Sequence, residues 1–423
     1  MKVLLVSTYE LGHQPLAVAA PAARLRARGH DVRALDISVE PWDPALGAWA
    51  DKVGIAVPMH TAARLAREIA PTIDRPVACY GLYAAMCRDV ATALVSRDPD
   101  TELVGWVEDD PALAADTAVP ARDLLPPLER YARLVHAGQE QLVASTEASR
   151  GCVHRCRHCP VPVVYDGRIQ VNPVDAVVAD VAQQVGMGAR HVSYGDPDFF
   201  NGVHHGLRVV RAVHARFPEL TFDCTVKVEH ILRHADVWPE LAASGCIFVV
   251  SAFESVNDAT LELLDKGHTA ADASRAVELL RAHGIEIRPS WLPFTPWATQ
   301  DDVRAILEFV ATHGLVGNVD PVQYTIRLLV PEGSLLLGHL DGLGPWDPTR
   351  LSYPWTSPLD PLQARFAARV EAAGDTPVSD VYDALRVDAG LAPLGLTDVA
   401  ASPHLDEPWF CCAEPTELQL RAL

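Results

Sequence analysis

The chain opens on an apolar run, Val3-Leu4-Leu5-Val6, closed by Ser7 and Thr8. Its length and polar boundary predict a buried strand over residues 2–8. A helical stretch follows over 15–28, stopped by Gly29, and a second strand over 31–37. Short β-rich runs at 53–57, 76–80 and 104–107, with a helical stretch at 61–70, continue the alternation. Strands alternating with helices imply a parallel sheet covered on both faces. Residues 109–127, rich in Asp, Pro and Ala, read as a surface connection to the next domain.

From Gln141 a second alternation runs to about Val330. Strands are expected at 142–146, 191–194, 221–226, 247–252, 286–291 and 322–329. Helices fit at 174–185, 206–216, 237–243, 270–283 and 299–313. Six such units in a row suit a barrel or partial barrel, with reactive groups at the C-terminal ends of the strands. A doubly wound sheet shares that periodicity. Beyond Pro331 the pattern weakens, because Pro345, Pro348, Pro354, Pro358 and Pro361 interrupt it. A helix fits 361–373, and the remainder reads as an irregular extension. The expected division is an α/β, Rossmann-like domain at 1–138, a partial (β/α)6 barrel at 139–345 and an extension at 346–423.

Composition narrows the function classes. A chain of 423 residues is long for one core, and 49% apolar with 21% charged residues is ordinary for a folded protein. No apolar run reaches the roughly eighteen residues a membrane-spanning helix needs. The N-terminal run lacks the longer apolar stretch and cleavage site of a signal peptide, so a cytoplasmic location is expected. A net charge of −20 repels phosphate backbones and argues against a nucleic-acid partner. Nine cysteines in such a chain are not a disulfide framework. Three of them crowd into one loop and two are adjacent near the C-terminus, which points to metal or redox chemistry.

The loop reads Gly151-Cys152-Val153-His154-Arg155-Cys156-Arg157-His158-Cys159-Pro160 and follows the first expected barrel strand. Three thiolates on one short loop can hold three corners of an iron–sulfur cube. The missing fourth Cys leaves one iron open to substrate. Arg150, Arg155 and Arg157 flank the thiols, and their charge would favour deprotonated sulfur. The alternative is a zinc site completed by His154 or His158, in a non-enzymatic metal-binding or sensor protein. Zinc knuckles usually bring a second ligand pair, and none follows nearby.

With its preceding Glu147-Ala148-Ser149-Arg150-Gly151, this spacing resembles the signature of the radical SAM superfamily. The resemblance implies a partial barrel holding a [4Fe–4S] cluster on Cys152, Cys156 and Cys159. The open iron would chelate S-adenosylmethionine (SAM), which one electron then cleaves at a carbon–sulfur bond. It also implies an electron donor such as flavodoxin or ferredoxin, and a small-molecule substrate. Carried over residue by residue, His158 would pack near the adenine, and Tyr194-Gly195-Asp196 would hold the methionyl amino group. Glu254 would meet the ribose hydroxyls. Arg288, Gln323 and Arg327 are further cofactor-binding candidates, and Lys227 and His230 could face the substrate. The bland alternatives are a turn cap for Asp196 and a solvated strand-end acid for Glu254.

An α/β domain ahead of such a barrel resembles the cobalamin-binding subfamily, which makes cobalamin a further candidate cofactor. The Asp-x-His-x-x-Gly motif that brings an imidazole to cobalt is absent; Gly12-His13-Gln14 offers a His at the wrong spacing. The tail, Trp409-Phe410-Cys411-Cys412-Ala413-Glu414-Pro415, is similar to that of the CUAEP/CCAEP-tail radical SAM family, in which selenocysteine can replace a tail cysteine. The stretches at 266–268, 289–297 and 326–331 share in that similarity. Adjacent cysteines strain a mutual disulfide but can together hold a soft, thiophilic atom. Cys411 and Cys412 are therefore the catalytic candidates. The most concrete expectation is that this pair holds a thiophilic substrate such as arsenite, with the radical from SAM either 5′-deoxyadenosyl or, if a different carbon–sulfur bond breaks, a 3-amino-3-carboxypropyl group transferred to arsenic, which resembles the radical SAM step in arsinothricin formation. A cobalamin-dependent methyltransferase is the competing reading.

Overall fold

The computed structural model describes residues 1–407 except 97, 114–117 and 398. The first sheet contains β1 (Lys2–Ser7), β2 (Asp31–Asp36), β3 (Lys52–Ala56), β4 (Val77–Tyr80) and β5 (Ala93–Val95), in the order β2-β1-β3-β4-β5. All its pairings are parallel. Buried Val3, Leu5, Leu4 and Val6 alternate between two apolar clusters, one on each face of the sheet. This is the expected doubly covered arrangement.

A second sheet begins with an antiparallel hairpin, β6 (Arg133–His136) and β7 (Gln139–Thr146). A separate ribbon, β8 (Ser149–Gly151) with β9 (Ile169–Val171), brackets the cysteine loop. The second sheet continues through β10 (His191–Tyr194), β11 (Thr221–Thr225), β12 (Cys246–Glu254) and β13 (Glu286–Trp291), and ends on the far side at β14 (His404–Leu405). From β7 to β13 neighbouring strands are parallel. The intervening helices, among them Val174–Gly186, Val203–Arg216, Ala270–Ala282 and Gln300–Thr312, cover the outer face with buried Val, Leu and Ile. The result is an α/β chain with a curled half-barrel sheet, as expected.

Four expectations differ from the structure. Residues 104–107 are not a strand but the end of a helix, Pro99–Glu108, whose N-terminus is capped by Asp98 accepting from the Thr101 amide. The cap and Leu103, Val104 and Val107 on one buried face outweigh the β propensity of two valines. Residues 322–329 do not form a sixth strand. Asp320 caps a 3-10 helix, Pro321–Thr325, and the extended stretch after it is bridged to the barrel only at Phe294 and Arg327. The extension is also less irregular than its prolines suggest. Helices Asp360–Glu371 and Val378–Asp388 bury Phe366, Tyr382 and Leu385 in the barrel's outer core. Nor is 109–127 merely surface: Ala121, Arg122 and Leu125 are buried.

Candidate active site at the cysteine loop

The cysteine loop leaves β8 at the C-terminal end of the half-barrel. Gly151 has φ +82° there, and a Cβ would meet the Arg168 carbonyl oxygen at 2.3 Å, so only glycine fits. Cys152 and Cys156 are buried and Cys159 is half-buried. Cys152 Sγ lies 3.6 Å from Asn201 Oδ1, and the Cys159 amide donates to the Cys156 carbonyl at 3.1 Å. Arg157 pins the loop from outside. Its amide donates to the Leu264 carbonyl at 2.9 Å, and its guanidinium donates to that of Leu263 at 2.6 Å.

The flanking arginines do not supply charge to the thiols as expected. Arg150 is taken by Asp100 at 2.6 Å and Glu147 at 2.5 Å, while Arg155 pairs with Asp166 in solvent. Local spacing places them next to the sulfurs in sequence, but their guanidinium groups are engaged by Asp100, Glu147, Asp166 and the Leu263 carbonyl. Lys266 and Lys227, both buried, take that role instead. Burial pushes the Cys156 thiol up, and these two ammonium groups pull against it. Burial alone dominates at Cys152, pushed up to about 11. Nothing local in the sequence marked Lys266 for this role.

Glu254 ends β12 at a register shift, with φ +63°, an unusual conformation for a non-glycine residue. Its Oε1 receives Lys266 Nζ at 3.1 Å and lies 3.1 Å from His158 Nε2. Burial opposes its ionisation, but Lys266 and His158 hold the carboxyl below the usual range. His158 and Glu254 are therefore brought together beside Cys159. Asp196 is also buried. It accepts from the Ala148 and Ser149 amides at 2.8 and 2.6 Å and from Ser149 Oγ at 2.7 Å, tethering the segment that leads into the loop. Burial pushes it up to about 7 despite these donors.

The remaining sequence candidates are more scattered. The Gly195 amide donates to the Thr146 carbonyl at 2.8 Å at the mouth of the barrel. The Tyr194 ring faces away, into the core against Phe199 and Phe222. Arg288 donates to Ser402 Oγ at 3.0 Å, and burial lowers it to about 10. Gln323 Oε1 accepts from the Trp291 amide at 3.3 Å. Arg327 pairs with Asp360 at 2.5 Å and stacks 3.5 Å over Trp355, which ties the barrel to the extension. His13 feels the charges of Asp223, Arg122 and His191, and burial lowers it to about 4. Cys411 and Cys412 lie outside the described residues. A cavity of about 260 Å³ separates Leu82, Tyr83 and Met86 of the first domain from His158, Cys159 and Pro160.

The donor set suits an anionic iron–sulfur cluster. The other described thiols, Cys79, Cys87, Cys224 and Cys246, are buried on β4, the turn after it, β11 and β12, away from the loop. Among the described residues no fourth thiol closes the set, and two ammonium groups offset its charge. Comparison with known proteins agrees. Residues 146–310 match the family model of the Radical SAM superfamily. The hopanoid C-3 methylase of Methylococcus capsulatus is 22% identical over 67% of this chain and 62% of its own length. The bacteriochlorophyllide d C-8(2)-methyltransferase of Chlorobaculum tepidum is 22% identical over 43% of each chain. The chain thus spans less than two thirds of these relatives. In fold it is similar to the cobalamin-dependent SAM radical enzyme OxsB with aqua-cobalamin and SAM bound, with a TM-score of 0.64 and 13% identity over 88% of this chain and 66% of that one. The radical SAM methyltransferase TsrM of Kitasatospora setae, with cobalamin and a [4Fe–4S] cluster bound, gives a TM-score of 0.56 and 19% identity over 74% and 70%. Three cysteines on the loop after the first parallel strand of a half-barrel, within a matching stretch of sequence, make residues 146–310 a domain of the Radical SAM superfamily.

Proposed function

We propose that this chain is an enzyme that holds a [4Fe–4S] cluster on Cys152, Cys156 and Cys159 and cleaves SAM reductively to modify a small molecule. The observation that carries this reading is the three-thiol loop faced by Lys227 and Lys266, with no fourth described thiol to close it. When bound, the cluster supplies an open iron for SAM and the electron that breaks a carbon–sulfur bond. The chain's own residues do the positioning. Asp196 and Arg157 brace the two sides of the loop, and the lysines offset thiolate charge. Glu254, held ionised by Lys266, fixes the His158 ring where an adenine would pack.

The finer reading is transfer of a 3-amino-3-carboxypropyl group to arsenite held by Cys411 and Cys412. Its support is the chemistry of adjacent thiols, which suit a thiophilic centre. Cobalamin-dependent methyl transfer is the second reading. It is favoured by the cavity between the first domain and Cys159, and by the parallel sheet whose β4–β5 connection lines it.

Anaerobic reconstitution followed by analysis of SAM-derived products separates these readings. Methylthioadenosine released in the presence of arsenite supports aminocarboxypropyl transfer. Methylated product that depends on added cobalamin supports the second reading. Cys411→Ser and Cys412→Ser should keep the cluster and some uncoupled cleavage but lose product; wild-type turnover in both would remove the tail from the chemistry. A variant with Ala at 152, 156 and 159 should lose all iron–sulfur absorbance, and a normal cluster spectrum in it would overturn the assignment. Zinc held by the loop thiols, read as sulfur-to-metal charge transfer when Co2+ takes its place, with no iron, would favour the non-enzymatic alternative.

A further inference from the structure

A second set of metal-binding side chains lies next to the cysteine loop. His154 sits on the loop between Cys152 and Cys156. Asp198 follows β10, and His230 belongs to the helix Val228–Arg233 after β11. One ligand atom from each lies within 4.8 Å of the other two. His154 Nε2 is 3.2 Å from His230 Nε2 and 3.7 Å from Asp198 Oδ2. His230 Nδ1 is 2.7 Å from that same oxygen. The three side chains are 15%, 1% and 4% exposed.

Hydrogen bonding accounts for only part of this arrangement: the two Nε2 atoms share one hydrogen bond, and Asp198 Oδ2 stands outside it. The contact between Asp198 Oδ2 and His230 Nδ1 is short, yet it lacks hydrogen-bond geometry, and both buried atoms are left without a partner among the described residues. A buried polar oxygen left in that state is costly. Asp198 Oδ1 is already used, accepting from the Phe200 amide at 3.0 Å, so Oδ2 alone points at the histidines. Two imidazoles and one carboxylate form a donor set suited to divalent zinc or iron. Donors about 2.0–2.2 Å from one tetrahedral ion lie roughly 3.3 Å apart; His154 Nε2 is 3.2 Å from His230 Nε2 and 3.7 Å from Asp198 Oδ2, and a single His230 nitrogen would serve the ion. Glu229 Oε2 stands 3.8 Å from His154 Nδ1, on the side where a carboxylate would orient a metal-bound imidazole.

We propose that His154, Asp198 and His230 bind one divalent ion of the zinc class, separate from the thiolate site. The ion clamps the cysteine loop to the ends of β10 and β11. Three protein ligands leave it an open coordination position.

The test is a titration of cluster-loaded protein with Co2+, a spectroscopic stand-in for Zn2+, in a Cys411→Ser/Cys412→Ser background so that tail thiols do not compete. A single equivalent should bind and give visible cobalt bands without sulfur-to-cobalt charge transfer, and Zn2+ should displace it. Asp198→Asn and His230→Ala should weaken cobalt binding by roughly 10–100-fold or more. Their iron content and cluster absorbance should match the parent, which also reports correct folding. Asp198→Asn preserves side-chain shape and decides the matter if His230→Ala loses iron. Absence of cobalt bands in the cluster-loaded parent would overturn the proposal, as would undiminished binding in Asp198→Asn.

Discussion

Gly151 shows how strongly one residue can constrain this site. It stands immediately before Cys152 with φ +82°, and an added Cβ would fall 2.3 Å from the Arg168 carbonyl oxygen and 2.9 Å from Tyr165 Cδ1. A backbone oxygen in a paired ribbon cannot swing aside as a flexible side chain can. Gly151→Ala is therefore expected to cost more than about 1 kcal/mol and to lower iron incorporation on reconstitution. Iron content and thermal midpoint together check this, and wild-type values for both would show that the loop adapts. Glu254 at the end of β12, also at positive φ, is stabilised by its contacts with Lys266 and His158. Strain of this kind collects where surrounding contacts over-determine a residue.

Among the elements, the stretch after Pro331 gains order by docking on the first domain. Leu351 is buried in that domain's core, and its carbonyl accepts from His60 Nε2 at 3.2 Å. Burial lowers His60 to about 4; the Leu351 carbonyl opposes this shift and Arg64 adds to it. The folded value lies below the unfolded value of 6.5, so the unfolded chain binds more protons between the two. The contribution of neutral His60 is complete above pH 6.5 and is lost as pH falls from 6.5 towards 4. Thermal midpoints measured across that window should fall less steeply in His60→Gln, which keeps a donor for Leu351 without the titration. Equal slopes in the two proteins would show that His60 does not set the acid limit.

At the scale of the whole molecule, Arg122 joins the two halves. Fully buried, it donates to Asp180 Oδ1 and Oδ2 at 3.0 Å each, to the Gln14 carbonyl at 2.7 Å and to the Ser145 carbonyl at 2.5 Å. These partners come from the first domain, a barrel strand and a barrel helix. Arg122→Ala would leave Asp180 buried and unpaired, and should cost roughly 3–5 kcal/mol. Arg122→Lys keeps the charge but loses the fork geometry, and should fall between. Denaturant midpoints measure both, and an Ala variant within about 1 kcal/mol of wild type would contradict the bracing role. A second link, Arg150 with Asp100, connects the helix Pro99–Glu108 directly to the entry of the cysteine loop.

Whatever depends on neighbours along the chain is legible in the sequence. The alternation of apolar runs and amphipathic stretches marked both parallel sheets, since strand and helix periods are local properties. The spacing of Cys152, Cys156 and Cys159 marked the site, because three ligands on one loop need no distant partner. Where two local signals conflicted, as at 104–107 and 322–329, the Asp caps prevailed over β propensity. Tertiary structure alone decided which charges face the thiols. Lys227 follows β11 and Lys266 follows the helix Asp258–Leu263, while Arg150 and Arg155 are drawn off by Asp100, Glu147 and Asp166. It alone joined His154, Asp198 and His230, three residues whose meeting depends on parallel strands ending side by side. Periodicity encodes which face of an element is buried; which distant side chains share that burial is a property of the assembled barrel.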